Sequence, residues 1–378
     1  MRNTLSQYRT KIQGILFPIL EEELPPLTKK QQQLVSILEF IRIEEFVPAF
    51  CPGYRGRPIK NRKAIACAFI AKVVYNIPTT IMLIDRLKSD ISLRRICGWE
   101  NIKQLPSESS FSRAFAEFAE SQLASKAHEF LIKLCYKGEI VQHAILDSIA
   151  ITAREKAAKK EVKPIAKEKK VRAKKGEPTV KDNTRIEKQF SGKMSLEEMI
   201  KDLPSVCDVG AKTNSKGHRS WWIGYKLHLT TDDNGVPLAG LTCSASVNDS
   251  QVGIPMAKLT AQRVISLYDL MDAGYYAERI NEHSRSLGHI PIMEKPAKGA
   301  EQASEKRQER LACETLKWQL PQTVRYEKRT TVERAFSRLR NEFGANFVRV
   351  RGAVKVASHL MFGVLVLAAD QLLKIANL

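Results

Sequence analysis

The feature that most constrains this chain is a change of hydrophobic period at residue 139. Before it, between residues 30 and 135, apolar residues recur three and four apart in QQQLVSILEFI, NRKAIACAFIAKVVYN, TTIMLIDRLKSD and SSFSRAFAEFAESQLASKAHEFLIKLC. That is the spacing of helices that bury one face. After it, EIVQHAILDSIAIT is a β-rich apolar run that reads as a buried strand interrupted by one acid, Asp147. WWIGYKLHLTTDDNGVPLAGLTCSASVND then alternates on both sides of Asn234 and Gly235, a pair suited to a tight hairpin. A helix from Asn248 to about Arg263, a strand ending at Asp272, the helix AERINEHSRSLG, the strand HIPIMEKP and a last helix bearing Glu333 complete the order. Three strands followed by alternating helices and strands fold as an α/β domain, a mixed sheet flanked by helices, here preceded by an all-helical N-terminal domain.

The length of 378 residues and 43% apolar content allow a large core and two or three domains. The formal charge of +20, from 61 basic against 41 acidic residues, exceeds what solubility requires and points to a polyanionic partner, nucleic acid first. The longest apolar run, MFGVLVLAA at 361–369, is half of what a membrane span needs, and MRNTLSQYRTK lacks the apolar core of a secretory signal. No membrane and a cytoplasmic location are expected. Seven cysteines without a C-x-x-C pair argue against a disulfide framework and a structural zinc site. Residues 154–176 hold eleven Lys or Arg against three Glu, a mobile basic insert or outlying helix for phosphate contact or plain solvation. Arg55, Arg57, Lys60, Arg62 and Lys63 beside short helices suit either a helix-turn-helix DNA reader or a packing bundle.

YEKRTTVERAFSRLR, residues 326–340, carries the chemistry. On one continuous helix, Tyr326, Arg329, Glu333 and Arg340 share a side, while Val332, Ala335, Phe336, Leu339 and Phe343 form an apolar stripe. Asp147 interrupts the first strand, Asp272 ends another, and Glu333 projects from the returning helix, so strand ends and an overlying helix can gather three acids. Three carboxylates held close repel unless cations sit between them. Hard oxygen ligands suit Mg²⁺, with Mn²⁺ as a substitute, and a pair of ions roughly 3.5–4 Å apart suits phosphoryl transfer on nucleic acid. Arg329 and Arg340 then flank the acids with charge for phosphates, and Tyr326 offers a hydroxyl or a stacking face.

The spacing Tyr326-x2-Arg329-x3-Glu333-x6-Arg340 resembles the Y-R-E-K signature of DDE-type transposases of bacterial insertion sequences, with Arg340 where Lys is usual. LDSIAIT resembles their first-Asp strand, LMDAGYY their second-Asp segment, and LKSDISLRRICGWENIKQLPSESSFSRAFAEF their helical N-terminal region. The likeness spans roughly residues 55–150 and 207–375, and Tyr276 stands where relatives often place another acid. The resemblance implies an RNase H-like catalytic domain in which Asp147, Asp272 and Glu333 bind two divalent ions. It implies water attack at the element's end, then attack of the freed 3′-hydroxyl on target DNA, with Tyr326, Arg329 and Arg340 on phosphates near that end. The partners it implies are DNA, as terminal inverted repeats and target, and a homodimer on DNA at the nucleoid. The expected division is 1–136 helical region, 137–352 catalytic domain with a basic insert at 154–205, and 353–378 an amphipathic helix closing the core. An RNase H-like nuclease without strand transfer and a non-catalytic DNA-binding relic are the alternatives.

Other residues receive structural readings. Asp249 reads as a helix cap with the acids in reserve, His228 as a core histidine, and Trp221 and Trp222 as buried strand residues, one of which can stack on a base. Asp208, Asp232 and Asp233 read as loop residues, and Arg349 and Arg351 as an extension of the DNA path or a solvated turn.

Overall fold

In a computed structural model of the chain, the described residues are 26–48, 61–159, 184–213, 218–294, 300–319, 321–346 and 348–376. Arg55, Arg57 and Lys60 lie outside them, as does most of the lysine-rich stretch of the insert.

The N-terminal half of the fold is helical: α1 (Lys29–Ile41), α2 (Arg62–Val74), α3 (Thr80–Ser89), α4 (Ile91–Ile96), α5 (Glu108–Glu120) and α6 (Leu123–Cys135). Local chemistry sets their starts. The Thr28 hydroxyl accepts from the Gln31 backbone while the Gln31 side chain returns to the Thr28 N–H, and Asn61, Thr79 and Asp90 cap α2, α3 and α4 with side-chain oxygens. Arg62 forms a fork onto both carboxylate oxygens of Glu117 at 2.7 Å, so this cation ties α2 to α5.

Strand β1 (Ile140–Thr152) follows, then α7 (Arg185–Phe190), α8 (Leu196–Asp202), β2 (Asp208–Thr213), β3 (Arg219–Thr231), β4 (Pro237–Ser244), α9 (Ser250–Ala261), β5 (Ile265–Met271), α10 (Glu278–Ser286) and β6 (Ile290–Met293). The last helices are α11 (Ala300–Leu316), α12 (Pro321–Glu327), α13 (Thr330–Asn341) and α14 (Ala353–Ala376). The sheet runs β2-β3-β1-β5-β6, and β4 also pairs with β3, on the half that β2 leaves free. β1 is antiparallel to β3 and parallel to β5, which is parallel to β6. The expected mixed sheet is present, with one addition: Asp208, assigned to a loop from sequence, begins the edge strand β2.

Strand parity divides the layers. Val141, Ile145, Ile149 and Ile151 of β1 join Leu227 and Leu229 of β3 in the larger core, under α13 and α14. Leu146, Ala239, Cys243 and Met271 point the other way, under α9. The described second part of the expected insert packs there too: α7 and α8 lie on α9, burying Gln189, Met199 and Leu203.

α14 departs from the amphipathic closing helix expected. Its residues from Leu360 to Ala369 are all buried, and it packs against α1, α2, α5, α6, α13 and β4. One core therefore joins the N-terminal helices to the sheet. α14 is long and apolar enough to cross a membrane by length and composition, but those faces are taken by protein. Gly363 permits the closest crossing, since a Cβ there would meet the Phe343 carbonyl oxygen at 2.8 Å. Arg338 of α13 then reaches the buried Asp370 at 2.5 Å, where Gln33 and Lys374 also converge.

Candidate active site

Register places the acids. Leu146 of β1 lies opposite Met271 at the end of the parallel β5, so Asp147, inside β1 one residue past that pairing, and Asp272, directly after β5, come side by side. Parallel neighbours are separated by about 4.8 Å. Asp147 shares the parity of Ile145 and Ile149 and faces the layer of α13. There the buried stripe Val332, Ala335, Phe336 and Leu339 fixes the helix rotation and turns Glu333 back over the strand ends.

The four signature residues do not share one continuous helix. α12 ends at Glu327, Lys328 and Arg329 form a turn, and α13 starts at Thr330. The break lets Arg329 swing into the middle of the acids: its guanidinium is 3.2 Å from Asp147, 3.9 Å from Asp272 and 3.3 Å from Glu333. Sequence spacing gave only the last contact. The Tyr326 hydroxyl donates to Asp272 at 3.4 Å, and its ring lies 5.6 Å from the Arg329 guanidinium carbon. Arg340 stands apart from the acids, donating to the Ala150 carbonyl at 2.9 Å further along β1.

The acids sit in different environments. The Asp147 side chain is 15% exposed, against 45% for Asp272 and 54% for Glu333. Burial pushes the Asp147 carboxyl up to about 6, aided by the neighbouring Asp272 charge and opposed by the Ser148 N–H and Arg329. Burial also raises the Tyr326 phenol to about 12, so it is a hydroxyl donor at neutral pH.

A hydrogen-bonded pin supports the strand ends from the other face. Ser148 pairs with His228 across β1 and β3, and the fully buried Tyr275, in the turn directly after Asp272, reaches His228 Nδ1 at 2.6 Å. His228 Nε2 lies 3.3 Å from Cys243 Sγ, and burial lowers the imidazole to about 4, keeping it neutral. His228 is thus the core histidine its alternation suggested.

Three sequence readings change. Asp249 makes no side-chain cap bond; its carboxylate pairs with Lys226 at 2.9 Å and lies beside Gly274 of the Asp272 turn. Asp232 is buried and accepts from Tyr136 and from the Asn234 and Val236 backbones, while Asp233 holds His143 at 2.6 Å, so both organise the hairpin. Trp221 is exposed, with the Arg219 guanidinium 4.2 Å from its ring, and Trp222 is half-buried, donating to the Tyr225 carbonyl. The Asp249–Lys226, Asp232–Tyr136 and Asp233–His143 contacts join residues 23 or more apart, and no local pattern announces them.

Among the described residues no three His, Cys, Asp or Glu side chains already stand as a metal-binding cluster. The donor chemistry nevertheless fits a hard divalent cation: three carboxylates from separate elements surround one positive group, and that group is a side chain able to move.

The fold and the acids gathered on it define an RNase H-like α/β protein with a helical N-terminal region. The Transposase DDE domain family matches residues 142–368, and the Transposase domain (DUF772) family matches residues 19–117. No curated protein and no solved structure matches the chain. The chain belongs to the DDE-type transposases of insertion sequences; it acts in DNA transposition with DNA as partner, in a family that generally uses divalent metal ions.

Proposed function

We propose that this protein is a cytoplasmic, metal-dependent DNA transposase that cuts at insertion-sequence ends and joins the freed 3′-hydroxyl to target DNA, as a homodimer spanning two terminal inverted repeats. The observation that carries the reading is the approach of Asp147, Asp272 and Glu333 to a single guanidinium, Arg329. In this reading the three carboxylates hold two Mg²⁺, or Mn²⁺ in its place. Bound there, the ions supply charge that activates the attacking oxygen and stabilises the leaving one.

The protein's own groups do the rest. Arg329 turns its planar fork from the acids to a phosphate, exchanging three carboxylate contacts for bidentate ones. Tyr326 donates its hydroxyl to a phosphate oxygen close to Asp272. Arg340, held on the Ala150 carbonyl by one N–H, keeps other donors for the strand leaving the site. Asp147, the most enclosed acid, is the anchor around which the other two close.

The test is a joining reaction with supercoiled target, oligonucleotide ends and Mg²⁺. Asp147→Ala is expected to abolish joined product while end binding persists, and calorimetric Mn²⁺ uptake by the DNA-free protein should fall in the same variant. Joining at the wild-type rate by Asp147→Ala would refute the assignment. Cleavage without joined product in the wild type would favour a nuclease.

A further inference from the structure

Between α2, α5 and the segment after α13 the surface opens into a cavity of about 320 Å³ that the acids do not touch. One wall is aromatic: Phe69, Phe115 and Phe362 pack together, with ring centroids 5.1 Å apart for Phe69 and Phe115 and 6.0 Å for Phe69 and Phe362. Four cations also line it, Lys72, Arg349, Arg351 and Lys355, against a single lining carboxylate, Glu108. His359 adds no charge, because burial holds its imidazole at about 4 and its Nε2 meets the Gly344 carbonyl at 3.1 Å. Four cations and one acid leave an excess of three positive charges around an apolar-walled space.

Folding alone does not require this. Lys72 is half-buried on α2, and burial pulls its ammonium down to about 8, with no acid among the described residues raising it again. An unopposed cation in a concave site is an anion receptor. The phenylalanines show only 2–8% of their surface, and the half-buried Ile77 and Val350 complete an apolar wall that a flat ring can cover. The volume lies at the low end for small-ligand pockets and suits a single nucleotide.

The cavity also borders the chain that leaves β1. Arg340 donates to the Ala150 carbonyl, and Arg351 donates to the Arg154 carbonyl at 3.1 Å. Arg154 lies in a bend two residues beyond the end of β1, so one basic residue of the cavity is tied to the strand that carries Asp147.

We infer that this cavity receives one nucleotide unit, its phosphate held by Lys72, Arg349, Arg351 and Lys355 and its base against the apolar wall of Ile77, Val350 and the phenylalanine edges. The unit comes either from an unpaired position in bound DNA or from a free mononucleotide; the recognition chemistry is the same. The inference rests on the family's DNA partnership and not on the three acids, so a failed joining assay leaves it standing and its own failure leaves the catalytic reading untouched.

The experiment titrates the full-length protein with dAMP, inorganic phosphate, a fully paired duplex and the same duplex bearing one bulged adenine. Two variants at exposed positions separate the contributions: Arg349→Ala with Lys355→Ala removes charge, and Ser112→Trp fills the cavity mouth while leaving the cations. The charge variant should weaken dAMP and phosphate alike, by about tenfold or more. The filled variant should weaken dAMP and spare phosphate. A preference for bulged over paired duplex, lost in Ser112→Trp, identifies DNA as the source; dAMP binding without that preference identifies a free nucleotide. Absence of dAMP binding and of a bulge preference in the wild type overturns the inference. So does a filled variant that binds dAMP as the wild type does, which would reduce the site to surface charge.

Discussion

Replacing Tyr275 by phenylalanine removes one oxygen from a place that water does not reach. Tyr275 and His228 are both fully buried, and the phenol hydroxyl lies 2.6 Å from His228 Nδ1. Without it the ring nitrogen loses its partner, and leaving a buried polar group unsatisfied costs about 1–3 kcal/mol. At roughly 2.1 cal/mol/K of unfolding entropy per residue, that is a fall of about 1–4 °C in Tm for a chain of 378 residues. Denaturant titration and calorimetry read the loss directly. The sharper test is a cycle with His228→Leu. Removing both polar partners leaves neither orphaned, so the double variant should lose less than the two single losses added, with a coupling of about 1 kcal/mol or more. Because Tyr275 closes the turn that starts at Asp272, joining should slow in Tyr275→Phe while DNA-end affinity holds. A Tyr275→Phe protein as stable as the wild type, or strictly additive losses, would refute the pin.

Acidification should destabilise the fold well before ordinary carboxylates titrate. Burial depresses His128 to about 3 and both His228 and His359 to about 4 from an unfolded value near 6.5, so the unfolded chain binds more protons between those limits. The stability these groups give is full above pH 6.5 and is lost as pH falls towards 3–4, by at most roughly 3 kcal/mol each for His228 and His359 and roughly 5 kcal/mol for His128. Asp147, raised to about 6, returns a similar amount in part of that window, so the net change is a loss that a Tm series in metal-free buffer will display. Leu365→Ala, at a fully buried position of α14, should cost about 2–5 kcal/mol. The N-terminal helices and the sheet should still melt in one transition, since both pack on that helix; two separate transitions would contradict the shared core.

Much of this architecture is legible because it is periodic. An apolar run marks β1, alternation marks β3 and β4, helical spacing marks α1, α2, α3, α5 and α6, and the stripe from Val332 to Leu339 lies on the buried face of α13. The short edge strand β2 escaped because its pairing with β3 is what defines it. The helix break at Lys328 and Arg329 escaped because no proline or glycine marks it. Asp232 and Asp233 read as solvated loop residues because Tyr136 and His143, which hold them, lie about ninety residues away.

The sequence by itself determined which residues have a face to bury, the order of the strands other than β2, and the presence of three acids and a basic surplus. Only tertiary structure decided that Leu146 meets Met271 in parallel register, that Arg329 enters the ring of acids, and that Lys72 joins Arg349 and Lys355 around one cavity. Hydrophobic period is a property of neighbours along the chain, whereas strand register and charge convergence depend on how distant segments pack, and many distant packings share the same local pattern.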